Sequence, residues 1–281
     1  MKLHINKKRQ IDKLNEMPLP EFENLSANEM DVMVHDALSP ECRVRFRDNI
    51  DKDVLDKIGL FRIAEDFIHL LHQEGSIKLT PLGALPKKWV VALYDKKYIL
   101  EELLELGISK LSREQDSVAI QSARLALEVA GITKRLHGKL SITKKGMPFL
   151  LPENRQVFFE HFMTTFADKF MWAYNDLFPE VPYGQVGWVY VTYLLKKFGN
   201  QPHPTSFYTD QYLKAFPVFN EYFDAEWEKY SCFEIRVFRR FLEWFGLIDL
   251  DNEDLLVDKI VMVKTNPIFS SVFEVDLKKM D

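Results

Sequence analysis

The sequence predicts a mainly α-helical protein with small β-hairpins, built as winged-helix-like units around an aromatic-rich helical region. Three observations predict it. A short apolar strand running into Thr-x-x-Gly occurs twice, at residues 76–83 and 139–146. Apolar residues at helical spacing precede each of them. A helix stopped by glycine and followed by a strand pair recurs near the C-terminus. There residues 242–248 parallel 127–133, and 259–264 parallel 139–144 after a longer connection.

Each element follows in order. Residues 1–20 read as a polar arm ending in Pro18-Leu19-Pro20. Ser26 and Glu29 form a capping-box pattern that opens a helix through Met30, Met33, Val34 and Ala37, stopped at Ser39-Pro40. A charged connector, 41–57, leads to a helix over 58–73, with Phe61, Ala64, Phe67, Ile68 and Leu71 on one face and Gly75 as its end. After the strand 76–79, Thr80 is expected to cap a new helix with Pro81 in its first turn, carrying Leu85, Trp89, Val90 and Leu93. The next helix, 117–130, buries Ile120, Ala123, Leu127 and Ala130, turns Gln121, Arg124 and Glu128 outward, and stops at Gly131. Strands 132–135 and 139–143 then meet at His137-Gly138, forming the wing, and Thr143 is expected to cap a further helix.

From 154 to 245 the chain is helical and rich in aromatic residues. Phe158, Phe162, Phe166, Phe170 and Tyr174 recur every four residues, the broad stripe of a large-residue core. The expected organisation is an arm at 1–20, a helical winged-helix-like domain at 21–151, and an aromatic-rich helical domain at 152–281 ending in a second such unit.

Composition narrows the function classes. The net charge of −5 offers no global attraction for nucleic acid. Cys42 and Cys232 are far apart without CxxC spacing, the pattern of reduced intracellular thiols. No signal-type apolar region follows the basic start, and no stretch has the length to span a bilayer, so a soluble, cytoplasmic protein without a membrane partner is expected. GxGxxG, GxxxxGK[ST] and GxSxG are absent from the sequence, and no cofactor is expected.

Two constellations carry chemistry. Lys134, Arg135, Lys139, Lys144 and Lys145 place a run of cations on the proposed wing with no acidic residue among them. A basic hairpin of this kind can lie along a phosphate backbone. Glu65, His69 and His72, at i, i+4 and i+7, share one helix face and offer a set of metal ligands. Near the C-terminus the pattern differs. Asp249, Asp251, Glu253, Asp254 and Asp258 outnumber Lys259 and Lys264, and Arg236, Arg239 and Arg240 on the preceding helix are expected to pair with them. Three functions are compatible with these features: a non-enzymatic interaction protein that binds a protein partner or itself, a nucleic-acid-binding protein using the hairpin 134–145, and a metal-dependent enzyme.

The segments Leu25-Ser26-Ala27-Asn28-Glu29-Met30, 78–86 and 127–146 resemble a bacterial family related to insertion-element passenger proteins and to proteins joined to a plasmid pRiA4b ORF-3-like module. The resemblance covers about half the chain and implies no catalytic residues. The Ile-Thr-Lys-Lys-Gly piece at 142–146 also resembles the wing of winged-helix regulators, a fold used for both DNA and protein contacts.

Overall fold

The computed structural model describes residues 10–174, 176–251 and 260–278. The helices in chain order are α1 Ala27–His35, α2 Gly59–Glu74, α3 Lys87–Tyr94, α4 Val118–Val129, α5 Arg155–Asp168, α6 Trp188–Phe198, α7 Thr205–Ala215, α8 Glu226–Phe233 and α9 Pro267–Val272. The strands are β1 Val44–Phe46, β2 Ile77–Lys78, β3 Thr133–Leu136, β4 Lys139–Ile142, β5 His203–Pro204, β6 Ile248–Asp251, β7 Met262–Thr265 and β8 Phe273–Val275. The protein is mainly α with small antiparallel sheets. No helix among the described residues is long and apolar enough to cross a membrane.

The chain divides into two units, each discontinuous in sequence. One comprises residues 1–48, 176–239 and 247–281; the other comprises 49–175 and 240–246. The boundary expected at Pro152 lies inside the second of these.

In the unit centred on 49–175, α2 buries Leu60, Phe61, Ala64, Phe67, Ile68 and Leu71 against α4, as its spacing requires. Gly75, at φ 67°, ends it. Ser117 caps α4 by accepting the Ile120 N–H at 3.4 Å. Gly131, at φ 70°, closes the helix in a Schellman arrangement: its N–H donates to Glu128 O and that of Ile132 to Leu127 O. His137 and Gly138 both have positive φ, the geometry of a two-residue hairpin turn matched to strand twist.

Three expectations are corrected here. Thr80 does not cap a helix. Its hydroxyl accepts the Ala84 N–H at 3.1 Å and its carbonyl accepts that of Gly83, so 80–84 closes as a turn and α3 begins only at Lys87. Gly83 sits at φ 76°, which a continuing helix excludes. Thr143 likewise caps a turn, accepting the Gly146 N–H at 3.0 Å, and a 3₁₀ segment, Met147–Leu150, follows instead of an α-helix. Gly146 itself is required by packing, because a Cβ there would stand 2.3 Å from the Ile132 carbonyl oxygen. Finally, the two Thr-x-x-Gly strands are not separate modules. They pair with each other: Ile77 lies opposite Leu140 and Lys78 opposite Lys139, in a sheet ordered β2-β4-β3.

Helix α5 closes this core. Phe158 packs edge-on against Phe61 at 5.1 Å, and Phe166 packs on Phe245 at 5.6 Å and on Phe170 at 4.9 Å. The aromatic stripe outruns the helix, which stops at Asp168, so Phe170 is buried from the following loop and Tyr174 is 40% exposed.

The unit centred on 176–239 repeats this order. Helix α6 is followed by β5, α7, α8 running into a π-helical stretch Glu234–Leu242, and then the hairpin β6–β7. The sheet order is β5-β7-β6, and the register also matches. His203 lies opposite Val263 as Ile77 lies opposite Leu140, and Ile248 opposite Thr265 as Thr133 opposite Ile142. The Leu79 N–H donates to Gly138 O, and the Thr205 N–H to Val261 O, at 2.9 Å in both. By this register the counterpart of Lys139 is Met262, not Lys259. Lys259, with Glu253, Asp254 and Asp258, lies outside the described residues.

The N-terminal part of this unit supplies α1 and β1, the latter paired with β8. Ser26 and Glu29 form the expected capping box, and Glu29 also accepts from Arg43 Nη2 at 2.5 Å and Lys278 Nζ at 3.2 Å. Burial alone would raise the Glu29 carboxyl, but the Ser26 N–H, Arg43 and Lys278 outweigh it and hold the group at about 2. A depressed folded-state pKa stabilises above the unfolded value and is lost as pH falls through the folded one. Stability is therefore expected to drop by about 2 kcal/mol between pH 4.5 and 2 through this group. In acid-unfolding curves, Glu29→Gln should be less stable at neutral pH and should flatten that decline.

Candidate nucleic-acid interface

The β2-β4-β3 sheet places the basic hairpin. Side chains alternate between faces along a strand, and directly paired residues share a face. Ile77 and Leu140 therefore point into the core, where each is buried. The opposite face carries Lys78, Lys139 and Leu136 in one row and Lys134 with Ser141 in the next. The three lysines are exposed, and Leu136 is 56% exposed.

Lys78 and Lys139 stand directly opposite each other across paired strands, an arrangement that destabilises a sheet by roughly a few tenths of a kcal/mol unless an anion joins it. Among the described residues, no carboxylate forms an ion pair with Lys78, Lys134, Arg135, Lys139, Lys144 or Lys145. Arg135 turns toward the 80–84 turn, where a Cβ on Gly83 would meet its Nη1 at 2.7 Å. Lys144 and Lys145 follow β4 and are exposed. The structure thus brings Lys134, Lys139 and the neighbouring cations to one hairpin. It adds Lys78, a residue 61 positions upstream of Lys139 whose two-residue strand carries no periodicity to betray it.

The same face in the other unit is different. At the positions of Lys134 and Ser141 stand Asp249 and Lys264, a compensated cross-strand pair, and at those of Lys78 and Lys139 stand Pro204 and Met262. One scaffold carries two surfaces of different charge.

The helix that precedes the hairpin does not present a reading surface. Gln121, Ser122 and Arg124 of α4 are buried, which corrects the expectation that Gln121 and Arg124 face outward. Arg124 donates to Glu114 (Nη2 to Oε2 at 3.1 Å) and to Glu128, and Glu114 is fully buried while also accepting the Leu85 N–H at 2.9 Å. A carboxylate ten residues upstream, outside the helix, has drawn the arginine inward. Two of the three arginines expected to pair with the acidic connection turn elsewhere, and Glu253, Asp254 and Asp258 of that connection lie outside the described residues. Arg236 pairs with Asp176 and Arg239 with Glu234 at 2.8 Å.

Glu65, His69 and His72 do not converge. Glu65 is buried and its oxygens are taken by Arg155 Nε at 2.6 Å and Arg62 Nη1 at 2.5 Å, whereas His69 and His72 are exposed. Among the described residues no group of three or more His, Cys, Asp or Glu side chains is arranged to hold a metal ion. The same arginines border a cleft of about 330 Å³ with Asp56, Asp66 and His69. Its charges neutralise one another: the hydrogen bond from Arg155 holds the Asp56 carboxyl below the usual carboxylate range, and Arg62 reaches Asp66 at 3.7 Å.

No family model, curated protein or solved structure matches this chain.

Proposed function

We propose that this is a non-enzymatic binding protein made of two winged-helix units, whose basic hairpin docks the phosphate backbone of a nucleic acid without reading its bases. The order helix, strand, helix, helix, hairpin supports the winged-helix reading, because the lone strand pairs with the second arm of the hairpin in both units. The observation that carries the function is the uncompensated face bearing Lys78, Lys134 and Lys139, with Lys78 and Lys139 directly opposed. Lysines kept together in solvent, without internal partners, gain their electrostatic energy from an outside anion, and a nucleic-acid backbone supplies regularly spaced ones. The burial of α4 argues against base readout. A recognition helix contributes exposed polar side chains to a groove, and Gln121 and Arg124 are not exposed.

Fluorescence anisotropy with a labelled duplex at low salt tests the proposal. The wild type should bind, and Lys78→Ala/Lys134→Ala/Lys139→Ala should weaken binding by about a hundredfold. Lys264→Ala, on the equivalent face of the other unit, should leave affinity unchanged. Absence of binding by the wild type, or equal binding by the triple variant, would remove this function.

A further inference from the structure

The basic sheet ends in exposed leucines. Leu136 stands in the row of Lys78 and Lys139, and Leu82, in the 80–84 turn that follows β2, is 91% exposed. Two contacts bring that turn to the hairpin's end of the sheet: the Leu79 N–H donates to Gly138 O, and the Arg135 guanidinium lies against Gly83. Leu82 is not carried by a slack loop. The Thr80 N–H donates to Ala84 O and the Gly83 N–H to Thr80 O, both at 2.8 Å, while the Thr80 hydroxyl holds the Ala84 N–H. The exposed cations around the two leucines, Lys78, Lys134, Arg135 and Lys139, are those without a carboxylate partner.

Single exposed leucines are ordinary on a protein surface. The company of these two is not. The equivalent end of the other unit lacks the leucines and the opposed lysines together. Asp251 stands at the position of Leu136, Met262 and Pro204 at those of Lys139 and Lys78, and β5 runs into α7 at Thr205 with no counterpart of the 80–84 turn. Apolar side chains held firmly among unpaired cations suit a partner that is anionic outside and apolar within, as stacked bases are behind their phosphates. Proteins that push leucines between base steps unstack them and kink the duplex. We propose that Leu82 and Leu136 wedge between bases of the nucleic acid held by the lysines, so that DNA already unstacked at a bulge is preferred to a continuous duplex. At a bulge the unstacking that a wedge causes has already occurred, and its cost falls away. The inference rests on the backbone-docking reading above and adds a selection for deformed structure, not for sequence.

Fluorescence anisotropy on a continuous labelled duplex, and on the same duplex with a short unpaired adenine bulge at its centre, tests this. The wild type should bind the bulged duplex about tenfold tighter. Leu82→Ala/Leu136→Ala should bind both equally with an unchanged salt slope, because it keeps every phosphate contact. Both side chains are exposed, so its melting curve should match that of the wild type. Lys78→Ala/Lys134→Ala/Lys139→Ala should weaken both complexes and keep the preference. Vesicles of equimolar phosphatidylcholine and phosphatidylserine, also anionic over apolar, offer the competing partner. Sedimentation with them that the leucine variant loses, without any bulge preference, would overturn the proposal in favour of a lipid surface. Binding of neither duplex by the wild type would remove the backbone-docking reading itself. Equal binding of both, or a preference that survives in the leucine variant, would overturn the wedge alone.

Discussion

Arg236→Ala is expected to destabilise the unit centred on 176–239 by about 3–5 kcal/mol. Arg236 and Asp176 side chains are both fully buried. The guanidinium donates to both Asp176 oxygens, to Val181 O at 2.7 Å and to Pro179 O at 2.9 Å, so one side chain ties residues 176–181 to the π-helical stretch. Truncation leaves the buried Asp176 carboxylate with only the Phe178 N–H at 3.0 Å, and this stranded charge accounts for most of the loss; the Pro179 and Val181 carbonyls keep their backbone donors. Arg236→Lys should rescue little, because an ammonium cannot reproduce the planar fork. Urea unfolding of the three proteins checks the order. Equal midpoints for wild type and Arg236→Ala would show that the pair is not buried as described.

Glu114→Ala is expected to produce a comparable loss in the other unit, about 3–5 kcal/mol by the same mechanism. Glu114 is fully buried and Arg124 nearly so. The carboxylate joins three parts of the chain: its own connection, α4 through Arg124, and the segment entering α3 through the Leu85 N–H. Glu114→Gln preserves an acceptor for Leu85 but not the charge that offsets Arg124, so it should fall between wild type and Glu114→Ala. Circular dichroism during urea unfolding reads both. Because the basic sheet face is built from other residues, Glu114→Gln should still bind duplex DNA below its unfolding midpoint.

Much of this structure was legible wherever the signal is local. The Ser26–Glu29 capping box, the amphipathic face of α2, the Ser117 cap and the Gly131 stop of α4 each depend on residues within about one turn of one another. The turn at His137-Gly138 was legible for the same reason, and with it the cations of the hairpin. The failures are those in which distant residues decide. Thr80-Pro81-Leu82-Gly83 satisfies the grammar of a helix start and of a turn equally well over four residues; the left-handed backbone of Gly83 selects the turn. Strand β1 hides within a charged connector because Val44, Arg45 and Phe46 find their partners at 273–275.

The internal repeat is visible in sequence at its helix–glycine–strand end but not at its beginning, where β5 is only His203-Pro204. Two residues carry no period, and a proline argues against a strand except at an edge, which is where β5 lies. Gln121 and Arg124 carry the polarity of outward-facing positions, yet both are buried. For Arg124, Glu114 drives this burial at a cost in desolvation that the pair's own hydrogen bonds offset. The same reasoning explains Lys78, whose neighbourhood with Lys139 exists only once β2 and β4 pair.

The most direct measurement is the salt dependence of duplex binding for two DNA sequences of unrelated composition. Backbone docking by the Lys78–Lys134–Lys139 face predicts equal affinities for both, and a log–log slope of about −0.9 for each phosphate neutralised, which the triple alanine variant makes shallower by about 3. A strong preference for one sequence, or a slope that the variant does not change, would contradict the account.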